Sequence, residues 1–236
     1  MDCSSVITPA LSGLLVVDKP LRVSSMDVVR RVRRAAGGAK TGHAGTLDPL
    51  ATGVVVCCLG RATRCVGVLM ALPKVYEAQI DLSAFTATDD REGQLQPVTV
   101  DSTPSEQQIR ETLNGFLGHI EQTPPIYSAI HVGGQRAYKL ARRGERIQMP
   151  TRVVRIDAVE LIAYTWPILV LRVTCGKGTY IRSIARDLGQ RLETGGHLAG
   201  LRRGAVGAYD LSMAVDWTRL ERPVSQVDLL KPPDPT

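Results

Sequence analysis

The chain has 236 residues, 44% of them hydrophobic and 22% charged, which excludes wholesale disorder and leaves room for one large domain or two small ones. Its formal net charge is +6, and arginine supplies 23 of the 29 basic residues. The planar arginine fork binds phosphate bidentately and stacks on bases, so this bias favours a nucleic-acid partner, although GC-rich coding enriches arginine too and composition alone leaves both explanations open.

Residues 1–11 read as a loose leader. Leu14-Leu15-Val16-Val17 is a short strand that ends at Asp18-Lys19-Pro20, where the proline stops the ladder. A helix then starts at Ser24 or Ser25, either of which can cap it, with Val28, Val29 and Val32 as its apolar face and Gly37-Gly38 at its end. Arg30, Arg31, Arg33 and Arg34 crowd the rest of that helix; with no acidic residue among them after Asp27, a phosphate-facing surface and a solvated face are equally open.

The next stretch, Gly42-His43-Ala44-Gly45-Thr46-Leu47-Asp48-Pro49-Leu50-Ala51-Thr52-Gly53, is rich in turn residues and runs straight into the apolar block Val54 to Leu59. It reads as a tight loop pinning Asp48 at the edge of a core sheet. Ala62 to Leu72 reads as one helix closed by Pro73, and Val75 to Leu82 alternates as a half-buried strand. Thr86 to Gln96, with Asp89, Asp90, Arg91, Glu92 and Gly93, is polar and reads as a loop. Thr103 as cap, Pro104 at the first position and Glu106 three residues on predict a helix whose buried stripe is Ile109, Leu113, Phe116 and Leu117.

Residues 120–150 break the regular pattern. Pro124-Pro125, Gly133-Gly134 and a short basic helix, Ala137 to Arg143, carry Arg136, Lys139, Arg142, Arg143 and Arg146 with Tyr127 and Tyr138 between them. Such a mixture suits a surface that grips RNA, and it also suits an ordinary surface loop. Val153 to Leu161 and Ile168 to Cys175 then predict a hairpin. Gly176-Lys177-Gly178 leads into a helix with Ile181, Ile184, Ala185, Leu188 and Leu192 on one face. Arg182 in its first turn sits on the wrong side of the helix dipole, at a cost of about 0.3–1 kcal/mol, so an anionic partner is expected. Gly195-Gly196 turns into His197 to Arg203, and Pro223 to Thr236 is a proline-rich tail.

Cys3, Cys57, Cys58, Cys65 and Cys175 form no Cys-x-x-Cys pair, a pattern of buried thiols in a reducing compartment rather than a disulfide frame or zinc site. No apolar run approaches the roughly 18 residues of a membrane span, and no secretory signal is visible, so a cytoplasmic protein is expected. Three features could carry chemistry: the single carboxylate of Asp48 five residues after His43, Arg182 at a helix start, and a distributed basic surface. Paired carboxylates, a metal cluster, a phosphate loop and a Ser-His pair are all lacking in the sequence pattern. An Asp-Pro turn is commonly structural, and a helix-start arginine is commonly a structural ion pair.

Gly42 to Gly53 resembles the aspartate motif of the TruB family, the tRNA pseudouridine-55 synthases. The resemblance extends through Gly13 to Pro20 with Ser24-Ser25, Lys74-Val75-Tyr76, Thr88 to Gly93, Pro124 to Ala129, Gly134 to Tyr138, Lys177 to Arg182 and His197 to Arg203. It covers about residues 12–215 in one order. The resemblance implies an α+β pseudouridine synthase fold, a mixed and mainly antiparallel sheet flanked by helices, with residues 120–150 as an RNA-gripping insertion. It implies that Asp48 acts as nucleophile or base, that Arg182 pairs with it, and that Tyr76 stacks on the target uracil and assists at C5. Asp90 is expected in the same charge network, Tyr180 and Leu201 in the substrate pocket, and His43 in the space left by the extruded base. The glycines around Asp48 are expected to let an RNA backbone approach. No cofactor and no metal are implied; the partner is the T-arm stem-loop of tRNA, with no membrane, no obligate protein partner and a monomer expected.

Family members commonly carry lysine where His131 stands and serine where Gly176 stands. Many also continue into a C-terminal PUA domain, for which residues 216–236 are too few, so a short C-terminal tail is expected. Two other readings are a tRNA-binding or folding factor without turnover and the catalytic subunit of a guide-RNA-dependent synthase. Asp48, Tyr76 and Arg182 together argue against the first, and the expected lack of a PUA domain against the second.

Overall fold

The computed structural model describes residues 11–145 and 147–233. In chain order the elements are β1 (Gly13–Lys19), α1 (Ser25–Ala35), β2 (Thr41–His43), β3 (Ala51–Leu59), α2 (Val66–Ala71), β4 (Lys74–Asp81), β5 (Ala84–Thr86), β6 (Leu95–Pro97), α3 (Glu106–Asn114) and β7 (Gly118–Gln122). They continue with β8 (His131–Val132), β9 (Gln135–Arg136), α4 (Ala137–Arg142), β10 (Arg152–Thr165), β11 (Ile168–Cys175), α5 (Ile181–Arg191), β12 (His197–Val206), β13 (Tyr209–Asp210) and β14 (Val215–Asp216). The described residues form two compact units, one from the chain up to Leu72 and from Arg203 onward, the other from Pro73 to Arg202. The class is α+β, as expected.

In the first unit β3 is the central strand. β1 runs antiparallel along it with Val16 opposite Val56, β2 pairs with it through His43 and Cys57, and β14 adds to β1 in parallel. Both faces of β3 are covered. Val54, Val56 and Cys58 join Leu14, Val16, Cys65, Leu69 and Val206 in one cluster, while Val55 and Cys57 are equally inaccessible from the other side. That double burial is why residues 54–59 read as a continuous apolar run instead of an alternating one. α1 turns Val28, Val29 and Val32 inward, and Ser24 caps it reciprocally with Asp27.

One expectation for this unit changes, and one open question is narrowed. Ala62 to Leu72 is not one helix: a 3₁₀ segment, Gly60–Cys65, precedes α2, with the Thr63 hydroxyl donating to the Gly60 carbonyl inside that tight turn. The arginine face of α1 is also partly occupied by protein. Arg30 pairs with Asp27 at 2.6 Å, and Arg31 reaches Glu221 at 3.0 Å while lying 4.5 Å over the Trp217 ring. The tail that supplies those partners is integrated: Val224 donates to the Ala35 carbonyl, and Leu230 exchanges backbone bonds with Leu14.

In the second unit β11 pairs antiparallel with β4 and with β10, and β10 continues to β7. Leu169, Leu171 and Val173 alternate inward along β11 while Arg172 faces out, the period-two pattern of a sheet covered on one face. α3 and α5 supply Ile109, Leu113, Ile184 and Leu188 to the core.

The α3 cap is Ser105, not Thr103. Ser105 accepts from the Gln108 amide while the Gln108 side chain accepts from the Ser105 amide at 2.8 Å, which satisfies two orphan donors at once. Glu106 instead pairs with Arg110 at 2.6 Å. Leu117 lies past the helix end at Gly115 and is 45% exposed, so it leaves the expected buried stripe. Residues 1–10 of the expected leader at 1–11, Arg146 and residues 234–236 of the expected tail lie outside the described residues.

Candidate active site

Asp48 belongs to the first unit, on the loop between β2 and β3, and is partly exposed. The loop is fastened on every side. Ala44 donates to the Val56 carbonyl at 2.9 Å, and the Asp48 carbonyl accepts from Ala51 at 3.0 Å, closing the Asp-Pro turn. The Pro49 carbonyl accepts from the Arg22 amide at 2.8 Å. The Ser25 hydroxyl, 2% exposed, accepts from the Leu47 amide at 2.8 Å and donates to the Leu47 carbonyl at 2.9 Å. The Ser24-Ser25 pair therefore divides its work: Ser24 caps α1 and Ser25 pins the residue before Asp48. Leu47 and Leu50 are buried, at 3% and 5% exposure.

Gly53 shows why glycine is needed here, and the reason is internal. Its φ is +105°, and a Cβ built on it stands 2.2 Å from the Arg203 carbonyl oxygen. It makes room for the backbone of β12 and not for an RNA backbone, which corrects that expectation at this position. His43 is on β2, and burial first, then the charge of Arg203, hold its imidazole below the ordinary histidine value.

Lys19 was legible only as part of a motif, yet it is fully buried. Its ammonium donates to the carbonyls of Pro20 at 3.0 Å and Val23 at 2.7 Å. Burial pulls its pKa down to about 8; the charge of Asp48 works against that fall and the charge of Arg203 works with it. The folded value lies below the ordinary one of 10.5, so between about pH 8 and 10.5 the unfolded chain holds the extra proton. The Lys19 contribution to stability therefore rises with pH across that window. Urea unfolding midpoints followed from about pH 7 to 10 are expected to climb for the wild type relative to Lys19→Met. Parallel curves would remove Lys19 as a buried titrating group.

The second unit carries the remaining candidates. Arg182, in the first turn of α5, is 6% exposed and donates to Asp90 at 3.1 Å, to the Thr88 carbonyl at 3.2 Å and to the Tyr127 carbonyl at 3.2 Å. Asp90 is the anion that offsets the unfavourable dipole position. It is 2% exposed and also accepts from the Thr88 hydroxyl and the Glu92 amide. Beside it, Asp89 pairs with Arg186 at 2.7 Å; burial pushes its carboxyl up and Arg186 opposes that. The loop at 86–96 is thus anchored by buried Asp89 and Asp90 while Arg91, Glu92 and Gln94 to Gln96 stay exposed; it closes as a β5–β6 hairpin and joins β12 by backbone bonds between Leu198 and both Asp89 and Arg91.

Tyr180 occupies the cap position of α5 without a capping side chain of its own. Gln122, 1% exposed, takes over: it accepts from the Tyr180 amide at 2.7 Å and donates to the Tyr180 carbonyl at 3.1 Å. The Arg152 guanidinium stands 4.8 Å from the Tyr180 ring centre. Tyr76 is on β4, opposite Val173 of β11, and Leu201 is on β12; both are partly exposed. The second unit thus gathers Arg182, Asp90, Thr88 and Tyr127 into one hydrogen-bonded group, and the first unit holds His43 and Asp48. Ser25, Arg203 and Gln122 have structural roles that local sequence reading missed.

A family model described as TruB family pseudouridylate synthase (N terminal domain) matches residues 33–181, and one described as tRNA pseudouridylate synthase B C-terminal domain matches 182–228. The chain is similar to a tRNA pseudouridine synthase B of Xanthomonas euvesicatoria pv. vesicatoria (strain 85-10), at 46% identity over 200 residues, covering 84% of this chain and 64% of that protein. It thus spans less than two thirds of that relative's length. To the tRNA pseudouridine synthase B of Mycobacterium sp. (strain KMS) it is 45% identical over 231 residues, covering 94% of this chain and 78% of that protein. Among solved structures it resembles one chain of a Cbf5-Nop10-Gar1 complex, with a TM-score of 0.69 at 26% identity, covering 87% of this chain and 52% of that one.

Proposed function

The chain belongs to the TruB family of pseudouridylate synthases, and from that premise we propose that it isomerises uridine 55 in the T-loop of tRNAs to pseudouridine. In this reaction the N1–C1′ bond of the uridine breaks, the base turns over, and a C5–C1′ bond forms. The C5 proton leaves and N1 gains a proton, so the change is redox-neutral and consumes no water. Asp48 acts as nucleophile or base, Arg182 supplies the positive charge that the reacting carboxylate needs, and Tyr76 stacks on the uracil and assists at C5. His43, Tyr180 and Leu201 shape the space around the flipped nucleotide. Flipping costs a few kcal/mol, which stacking and phosphate contacts offset.

The observation that carries this reading is the fastening of Asp48. A partly exposed carboxylate on a loop tied at Ala44, Leu47, Pro49 and Ala51 is a preorganised reactive group, whereas a pure binding module gains nothing from holding one carboxylate so firmly. Residues 120–150 supply the grip on RNA. Arg136, Lys139 and Arg142 are exposed there, while Arg143 is taken by Glu145 at 2.9 Å. The proposed setting is the cytoplasm, and no helix among the described residues is long and apolar enough to cross a membrane. Identity to the tRNA enzymes is 45–46%, against 26% for the Cbf5 complex, so tRNA is favoured over a guide-RNA assembly.

Release of tritium from tRNA transcript labelled at uridine C5 tests the reaction class. The expected result is release of one tritium per tRNA, continuing over many turnovers of a catalytic amount of protein. Tight tRNA binding without any release would leave a binding factor and overturn the proposal.

A further inference from the structure

We propose that Arg203 is a positioning residue for Asp48, its buried guanidinium clamping the Gly45–Thr46 turn and so setting where the carboxylate points. The inference rests on the uridine-isomerase reading, because it concerns how the same Asp48 is held.

Arg203 is 1% exposed, and among the described residues its guanidinium donates to backbone carbonyls of the Asp48 loop and the strand that follows it. Nε donates to Val54 at 2.7 Å, one terminal nitrogen to Thr46 at 3.2 Å and the other to Gly45 at 3.1 Å. The pattern has a local cause. Gly45 adopts φ +110°, so the turn does not direct the Gly45 and Thr46 carbonyls into a regular ladder, and these part-buried carbonyls take donors from elsewhere. An arginine carries five N–H groups in one rigid plane, so it serves three carbonyls at fixed, separate directions, where a lysine ammonium offers three donors from a single nitrogen.

Burying a charge against carbonyl dipoles is costly, and such exceptions to ordinary packing concentrate where function needs them. Here the clamp holds Thr46 and the Ser25 hydroxyl holds Leu47, two and one residues before Asp48 in the chain. Gly53 completes the arrangement, because any side chain at that position would collide with the Arg203 backbone. The field of Arg203 is also felt at Lys19 and His43, and Lys19 in turn feels Asp48, so the guanidinium charge acts within the electrostatic neighbourhood of the reacting carboxylate. Misplacement of a reacting group by about 1 Å costs on the order of 10²-fold in rate, so the clamp matters to turnover more than to binding.

The test compares wild type with Arg203→Lys and Arg203→Gln in single-turnover pseudouridine formation, tRNA binding, thermal melting and amide exchange. The expected result for the folded variants is a loss of roughly 10- to 100-fold in single-turnover rate, with tRNA affinity within about threefold. Exchange should rise at residues 44–51 while α1 stays protected, and the lysine variant should retain more rate than the glutamine variant. An unchanged rate in a folded variant overturns the proposal. So does a rate that falls only in step with melting and tRNA affinity, or failure of both variants to fold, because each makes Arg203 a core residue without a separate catalytic consequence. An inactive wild type would instead overturn the isomerase reading.

Discussion

Asp48→Asn is expected to lower the single-turnover rate of pseudouridine formation by at least about 10³-fold while leaving tRNA affinity within a few-fold. Asparagine has nearly the shape of aspartate, and the fastenings of the loop use the Ser25 hydroxyl and the backbone of Ala44, Leu47, Pro49 and Ala51, none of which the change removes. What is lost is the negative charge and with it the nucleophile or base. Thermal melting should change little, because Leu47 and Leu50 still anchor the loop in the core. A variant that keeps the wild-type rate would show that Asp48 is only a turn residue.

The second large effect concerns Arg182 and separates structure from chemistry. Arg182→Met leaves Asp90, itself 2% exposed, as a buried carboxylate without its guanidinium, and is expected to cost about 3–5 kcal/mol of stability. Adding Asp90→Asn removes the stranded charge, and the double variant should recover most of that loss. The recovery is incomplete because Arg182 also serves the carbonyls of Thr88 and Tyr127. Pseudouridine formation should stay lost in the stable double variant. If activity returned together with stability, Arg182 would be a structural ion-pair partner and no more. The melts alone also report on the pair: equal stability of Arg182→Met and wild type would contradict its burial.

What could be read from the chain and what could not divides by sequence separation. The Asp48 loop was legible because glycine, proline and the apolar run of β3 are adjacent, and local turn chemistry decides such a stretch. The start of α1 and the alternation of β11 follow from contacts within a few residues. Arg203 was not legible: its partners Val54, Thr46 and Gly45 lie 149 to 158 positions away, and nothing in its own neighbourhood distinguishes it from the adjacent Arg202. The same holds for Arg31, whose acidic partner Glu221 is 190 residues on, so a face that read as free for phosphate is partly satisfied within the protein. The glycines around Asp48 read as room for an RNA backbone, but at Gly53 only the fold shows that the approaching backbone is that of β12. The α3 cap shows the limit of motif reading at short range. Thr103-Pro104 and Ser105 offer overlapping signals, and the reciprocal bond of Ser105 with Gln108 decides between them.

The anion predicted beside Arg182 was a physical expectation about a helix dipole, and it could be stated before its identity was known. The resemblance supplied the roles of Tyr76, Tyr180 and Leu201, which no periodicity carries. The burial of Asp89 and Asp90 within the polar loop at Thr86 to Gln96 is hidden in the sequence, because a buried Asp–Arg pair has the same composition as a solvated one.

Under the proposed function the chain converts one particular uridine in tRNA. That conversion is tested most directly by incubating the wild-type protein with an unmodified tRNA transcript and mapping pseudouridine by carbodiimide labelling and primer extension. The expected result is a single new stop at uridine 55 of the T-loop, absent with Asp48→Asn and absent from a transcript bearing cytidine at that position. Modification elsewhere in the tRNA, or a stop that persists in Asp48→Asn, would contradict it.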